Sequence, residues 1–295
     1  MRKENILHHI GNTPLVKLNK IIKKKNVEIW LKLEGFNPSG SIKDRVALNI
    51  IRAAERKGEL TKSKEILEVT SGNMGISLSF IGAVLGYKVT IVMPEDASEE
   101  RKKLIKIMGA NLILTKSCKG EMGARKRAIK ICKENKDKYW FADQFSNKNN
   151  PNIHFIQTAR EIIHDLPDVS HIFTAIGTGG TFLGLLNAFK KYSVNIIGIQ
   201  PDKKDNIDGL VNFKEEEVSP LLEEKNLAGI VYVKRKDAIK TVKKVVRGEG
   251  LFIGISTGAA VYKAIETAEK IKDGKLVVIS PDRIEKYFST DLFLE

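Results

Sequence analysis

Lys43 sits in the run Pro38-Ser39-Gly40-Ser41-Ile42-Lys43-Asp44-Arg45, where a glycine turn opens a helix. The helix dipole disfavours a cation in that first turn. Such a lysine is either a snorkelling surface residue or an amine tuned to form an imine. Three more glycine-rich turns follow strand-like runs. Glu68-Val69-Thr70-Ser71-Gly72-Asn73-Met74-Gly75 offers successive backbone N–H groups and hydroxyls, an anion pocket suited to a carboxylate. Ala175-Ile176-Gly177-Thr178-Gly179-Gly180-Thr181 makes the same transition and can cradle a phosphate. It is not a dinucleotide fingerprint, because Phe182 stands where GxGxxG needs its last glycine. Residues 35–41 fail a Walker A pattern, since Ser41-Ile42 replaces Lys-Ser/Thr. Gly254-Ile255-Ser256-Thr257-Gly258-Ala259-Ala260 presents two hydroxyls at a helix start, which alone is an N-cap.

The elements that must hold these turns alternate. Runs at 27–33, 65–70, 88–93, 110–115, 171–176, 195–200 and 276–280 are rich in Val and Ile and read as strands. Helical periodicity covers 43–57, 75–85, 98–108, 121–135, 151–164, 180–190, 237–247 and 258–270. Strand–helix alternation predicts an α/β fold of two lobes, each a mainly parallel twisted sheet flanked by helices. A polar, turn-prone stretch at 145–151 marks a lobe boundary. The expected division is a smaller lobe at 36–146, carrying the carboxylate turn, and a larger one of 1–35 plus 147–295, carrying the phosphate cradle. The site lies between them. Residues 202–226 fit no element and read as a long connection.

Composition narrows the function. The chain has 295 residues, 42% hydrophobic, enough for a large globular core. The longest apolar stretch, 76–87, is too short to span a membrane, and no signal peptide is expected. Two cysteines, Cys118 and Cys132, predict no disulfide framework or zinc site and fit a reducing cytoplasm. The net charge of +14 invites a nucleic-acid reading, but the lysines are dispersed and no basic stretch is interleaved with aromatics. No nucleic-acid partner is expected. His164, Asp165, Asp168 and His171 match no metal-site spacing, so no metal is expected. Trp30 and Trp140 read as core residues.

Taken together, an amine, a phosphate cradle, a carboxylate pocket and a hydroxyl pair are the requirements of a pyridoxal-phosphate site. The segments Ile10-Gly11-Asn12-Thr13-Pro14-Leu15 and Leu33 through Arg45 (LEGFNPSGSIKDR) resemble the cysteine synthase (O-acetylserine sulfhydrylase) and cystathionine β-synthase family. So do the TSGN turn, GTGGT, GISTGAA, and the tail Pro281-Asp282-Arg283 through Tyr287-Phe288-Ser289-Thr290. The likeness runs in order over nearly the whole chain. Residues 143–147 (DQFSN) and the tail are more like the B-type cysteine synthase, GTGGT more like the A-type. The haem-binding and regulatory extensions of some cystathionine β-synthases have no counterpart. The resemblance implies fold type II of pyridoxal-phosphate enzymes, the tryptophan synthase β-like class, usually homodimeric. It implies Lys43 as the Schiff-base lysine and general base, and Asn73 on the cofactor's phenolic oxygen. Gly177, Thr178, Gly179, Gly180 and Thr181 would hold the phosphate and Ser256 the pyridine nitrogen. Thr70, Ser71, Gly72, Met74 (by backbone) and Gln144 would hold the substrate carboxylate.

The expected chemistry is β-replacement or β-elimination at C3 of a serine- or cysteine-type amino acid, with sulfide or a thiol as nucleophile or leaving group. A hydroxyl at Ser256 cannot hold the ring nitrogen protonated as a carboxylate would, which favours β-chemistry over transamination. Two positions depart from the family pattern. Met74 stands where threonine is usual, and Asp208 where Pro or Gln is commoner. A carboxylate at 208 could bind the ammonium of a second amino acid or activate water, which points to an enzyme that consumes L-cysteine and releases hydrogen sulfide, with lanthionine or serine as product. The ordinary reading of Asp208 is a solvated loop residue. A dehydratase of the same fold type and a non-catalytic scaffold are the remaining alternatives; the retained Lys43, Asn73, GTGGT and Ser256 count against the scaffold.

Overall fold

The computed structural model describes residues 4–203, 205–213, 219–223 and 229–293. Two sheets organise them. One has six strands in the order β1-β2-β10-β7-β8-β9, comprising β1 (Leu15–Lys17), β2 (Val27–Leu33), β7 (Val169–Ala175), β8 (Asn195–Pro201), β9 (Ile230–Val233) and β10 (Gly274–Ser280). Only β1 pairs antiparallel. The other has four parallel strands in the order β5-β4-β3-β6, comprising β3 (Glu65–Val69), β4 (Val89–Pro94), β5 (Asn111–Thr115) and β6 (Tyr139–Phe141). All seven expected strands form. The three that periodicity missed, β1, β6 and β9, have only three or four residues each, too few for a pattern.

Strands β3 and β4 are buried along their whole length, as parallel strands covered on both faces must be. Helix α1 (Lys43–Arg56) buries Val46, Ala47, Ile50, Ile51 and Ala54 and turns Arg52 outward, a 3.6-residue stripe. Helix α2 (Asn73–Leu85) is apolar nearly all round and lies in the core of the smaller sheet's unit. The remaining helices are α3 (Glu99–Ile107), α4 (Gly120–Glu134), α5 (Asn149–Ile153), α6 (Ala159–Asp165), α7 (Gly180–Ala188), α8 (Arg235–Glu249) and α9 (Ile255–Lys270). The single helix expected over 151–164 is interrupted: a π-turn at His154–Thr158 separates α5 from α6. Trp140 is buried, whereas Trp30 is half-buried, its indole N–H donating to Glu28.

The β2–β10 register, running from Val27 opposite Gly274 to Leu33 opposite Ser280, sets the site's frame. It brings the chain after β10 beside the turn before α1. There Ile42 N–H donates to Pro281 O at 2.8 Å and Ser41 bridges Asp282. Beneath that turn lies a buried charge cluster. Arg45 pairs with Glu34 and Glu161, Lys32 donates to Thr13 O and Glu161, and Thr13 donates to Glu34. Gly11 (φ 92°) and Asn12 (φ 46°) take left-handed backbone to reach it, with Asn12 N–H on Glu161 at 3.0 Å. This is the structural content of the IGNTPL segment.

Candidate active site

A cavity of about 350 Å³ opens where the C-terminal ends of both parallel sheets face one another, the usual ligand position in open α/β sheets. Lys43, Thr70, Ser71, Gly72, Asn73, Met74, Gln144, Gly177 to Thr181, Asp208 and Ser256 all line it. Lys43, the first residue of α1, enters from the turn whose Gly40 has φ 82°.

The β3–α2 turn forms one wall. The Thr70 hydroxyl accepts from Gly72 N–H at 2.9 Å and so shapes the loop. A side chain at Gly72 would collide with Arg101, a buried α3 residue that also lines the cavity. Met74 is almost fully buried in the apolar core yet still borders the cavity, which accounts for a methionine at this position. Asn73 begins α2. Its Nδ2 donates to Asp282 at 2.6 Å and its Oδ1 accepts from Lys286 at 2.9 Å. Gln144 completes this side, with Nε2 on Val69 O at 3.2 Å and a buried Oε1 without a partner. Its backbone N–H donates to Glu68, whose carboxyl burial pushes up to about 8.

The opposite wall is the β7–α7 turn. Gly179, with φ 82°, is the N-cap of α7, and helical N–H groups begin at Gly180. A Cβ at Gly177 would lie 2.7 Å from Gly209 O, and one at Gly180 would overlap the Asn150 amide. Only backbone fits, which leaves a bare cradle of N–H groups at a helix N-terminus. Two hydroxyls flank it. Thr178 Oγ1 accepts from Asn150 at 3.0 Å and Thr181 Oγ1 lies 3.3 Å from His154 Nε2. Burial, with Lys43 and Arg45 nearby, holds the His154 imidazole well below its usual range, so it is neutral at pH 7. Ser256, in the first turn of α9, supplies a hydroxyl to the cavity. Thr257 does not: it is buried against Ser280 Oγ at 3.1 Å, so the expected hydroxyl pair reduces to one.

Asp208 reaches the cavity from the connection after β8. Its carboxylate accepts from Arg235 at 3.0 Å and lies 4.0 Å from Arg101. Arg235 is itself fixed by Asp291 and Asn206 O. Part of the expected connection, 204, 214–218 and 224–226, lies outside the described residues. Sequence reasoning assigned no role to Arg101, Asn150, His154, Asp282, Lys286 or Tyr287. The Pro281-Asp282-Arg283 tail was visible as a motif, but its reach to Asn73 depends on the β2–β10 register. Among the described residues no cluster suited to a metal occurs, and no helix is long and apolar enough to cross a membrane.

An amine at one helix start, a glycine cradle of backbone N–H groups flanked by two hydroxyls at another, and an orphaned amide oxygen on the wall fit pyridoxal phosphate. Residues 6–282 match the family model described as pyridoxal-phosphate dependent enzyme. The chain belongs to this family. Its cofactor is pyridoxal phosphate. The cysteine synthase of Aquifex aeolicus is 38% identical, over 99% of this chain and 92% of that protein. Among solved structures, O-acetylserine sulfhydrylase isoform 3 of Entamoeba histolytica is 38% identical with a TM-score of 0.92, covering all of this chain and 92% of the other. A hydrogen sulfide-producing enzyme of Fusobacterium nucleatum is 35% identical with a TM-score of 0.92, covering 97% and 100%. The protein is therefore a fold type II pyridoxal-phosphate enzyme of the cysteine synthase kind.

Proposed function

We propose that this enzyme carries out β-replacement at C3 of a serine-type amino acid with sulfide as the nucleophile, forming cysteine. The observation that carries the reading is that Lys43, the 70–74 turn, the 177–181 cradle and Ser256 all open onto one cavity. Pyridoxal phosphate, when bound, supplies an electron sink for negative charge at the substrate Cα. The protein's residues do the rest. Lys43 would be the cofactor's carbonyl partner and, once displaced by substrate, the base that takes the Cα proton. The N–H groups of the α7 start and the Thr178 and Thr181 hydroxyls would hold the phosphate. Asn73 would donate to the phenolic oxygen. Ser256, a neutral partner for the ring nitrogen, would keep the sink weak enough to favour departure of a β-substituent. Thr70, Ser71, Gly72, the Met74 backbone and Gln144 hold the substrate carboxylate at the start of α2.

The site is best divided as a 36–146 lobe supplying substrate contacts and a 1–35 plus 147–295 lobe supplying phosphate contacts. The exposed Cys118 and partly buried Cys132, both free, suit a reducing cytoplasm. Homodimeric assembly is assigned from the family resemblance.

A second reading rests on Asp208. Its carboxylate is held on the cavity wall by Arg235, with one oxygen turned toward Arg101. That arrangement suits an acceptor amino acid, and with it L-cysteine as the consumed substrate.

The test is turnover of O-acetylserine with sulfide by the wild type and Lys43→Ala. Cysteine should accumulate only with the wild type. No cysteine from the loaded wild type, or equal rates from both, would overturn the proposal.

A further inference from the structure

Lys286 is 6% exposed, an unusual place for an ammonium. Its Nζ donates to two neutral oxygens, Asn73 Oδ1 at 2.9 Å and Ser39 O at 3.2 Å. Burial lowers its pKa from the usual lysine value, and the nearby carboxylates of Asp282 and Asp44 oppose that by favouring the ammonium. Four residues earlier on the same tail, Asp282 accepts from Asn73 Nδ2 at 2.6 Å. Tyr287 braces Asp282 with its hydroxyl, 2.9 and 3.1 Å from the two carboxylate oxygens.

The two ends of an asparagine amide are nearly equal in shape and differ only in donating or accepting. Their partners decide which end points where. An ammonium can only donate, so it fixes the oxygen. A carboxylate can only accept, so it fixes the nitrogen. Asp282 lines the cavity and Lys286 does not, so the nitrogen end lies on the cavity side. The geometry points to Lys286 as a positioning residue that, with Asp282, locks the Asn73 amide with its nitrogen toward the cofactor. One N–H goes to Asp282 and the second is left for a phenolic oxygen, which the amide oxygen would repel. The inference rests on the role assigned to Asn73 above.

Lys286→Met, Lys286→Gln, Lys286→Arg, Asn73→Ala and the double variant Asn73→Ala/Lys286→Met are titrated with pyridoxal phosphate. The Kd, the visible absorption maximum of the bound form and the thermal midpoint of the unloaded protein are recorded. Loss of one hydrogen bond to an anionic oxygen predicts a Kd about tenfold weaker for Lys286→Met, with the band shifted as in Asn73→Ala. Lys286→Arg stays close to wild type. Lys286→Gln, which can accept as well as donate and no longer dictates the direction, weakens binding by about threefold even if the Met variant misfolds. In the double variant the Met substitution adds nothing to Asn73→Ala. Wild-type affinity and band in both Lys286→Met and Lys286→Gln, or a full additional loss in the double variant, would overturn the positioning role while leaving Asn73 in place. An unchanged Kd and band in Asn73→Ala would remove the Asn73 assignment itself.

Discussion

Replacing Glu161 by Gln tests the charge cluster on which Lys43's helix stands. The Glu161 carboxylate is 11% exposed and accepts four donors: Arg45 Nη1 and Nη2 at 2.6 and 2.7 Å, Lys32 Nζ at 2.8 Å and Asn12 N–H at 3.0 Å. Burial alone would raise its pKa, but the bonds to Arg45 and Lys32 overcome this and lower it to about 2 from 4.5. Each unit corresponds to about 1.4 kcal/mol, giving about 3.5 kcal/mol for the fall from 4.5 to about 2, which screening at the partly wet edge trims to about 2–3 kcal/mol. The glutamine is isosteric, yet its amide nitrogen would face cations, and Lys32, with no exposed surface, would lose its nearest carboxylate. Urea unfolding at pH 7 should show a loss of about 2–3 kcal/mol. The folded pKa is depressed, so this contribution is fully present above about pH 4.5 and is lost as pH falls toward about 2. The gap between wild type and variant should therefore close over that window. A loss below about 0.5 kcal/mol at pH 7, or a gap that persists unchanged at pH 2.5, would refute the reasoning.

Other expectations follow from the cavity walls. Gly180→Ala places a methyl group on the Asn150 amide and forces the turn that forms the cradle to shift; pyridoxal phosphate should fail to remain bound through gel filtration, and retention at wild-type stoichiometry would count against the phosphate site. Asp208→Asn should reduce sulfide release from L-cysteine alone by about tenfold or more, the worth of a charged hydrogen bond, while cysteine formation from O-acetylserine and sulfide changes little. Equal effects on both reactions would reduce Asp208 to a loop anchor for Arg235.

The four turns were legible in the sequence because each carries its own backbone demand. A glycine with φ 82° at 179, or no room for a Cβ at 177, is written into the local residue types. Seven of the strands were legible as Val- and Ile-rich runs, while β1, β6 and β9 are too short to carry one. Arg101, Asp282 and Lys286 were not, because their proximity to the site is set by strand register and by a tail crossing from the large sheet to α2. His154 and Asn150 were hidden for a related reason: both back the cradle from a helix whose π-turn leaves no trace in hydrophobic periodicity. Thr257 shows the converse. Its residue type fitted the site, but side-chain direction sent it into the core.

The most direct measurement is to load the protein with pyridoxal phosphate, reduce it with borohydride, digest it and locate the pyridoxyl group by mass spectrometry. The structure predicts a single modified residue, Lys43, and no modification at stoichiometric level in Lys43→Ala. A pyridoxyl group on another lysine, or none on a protein that stays folded, would contradict the account.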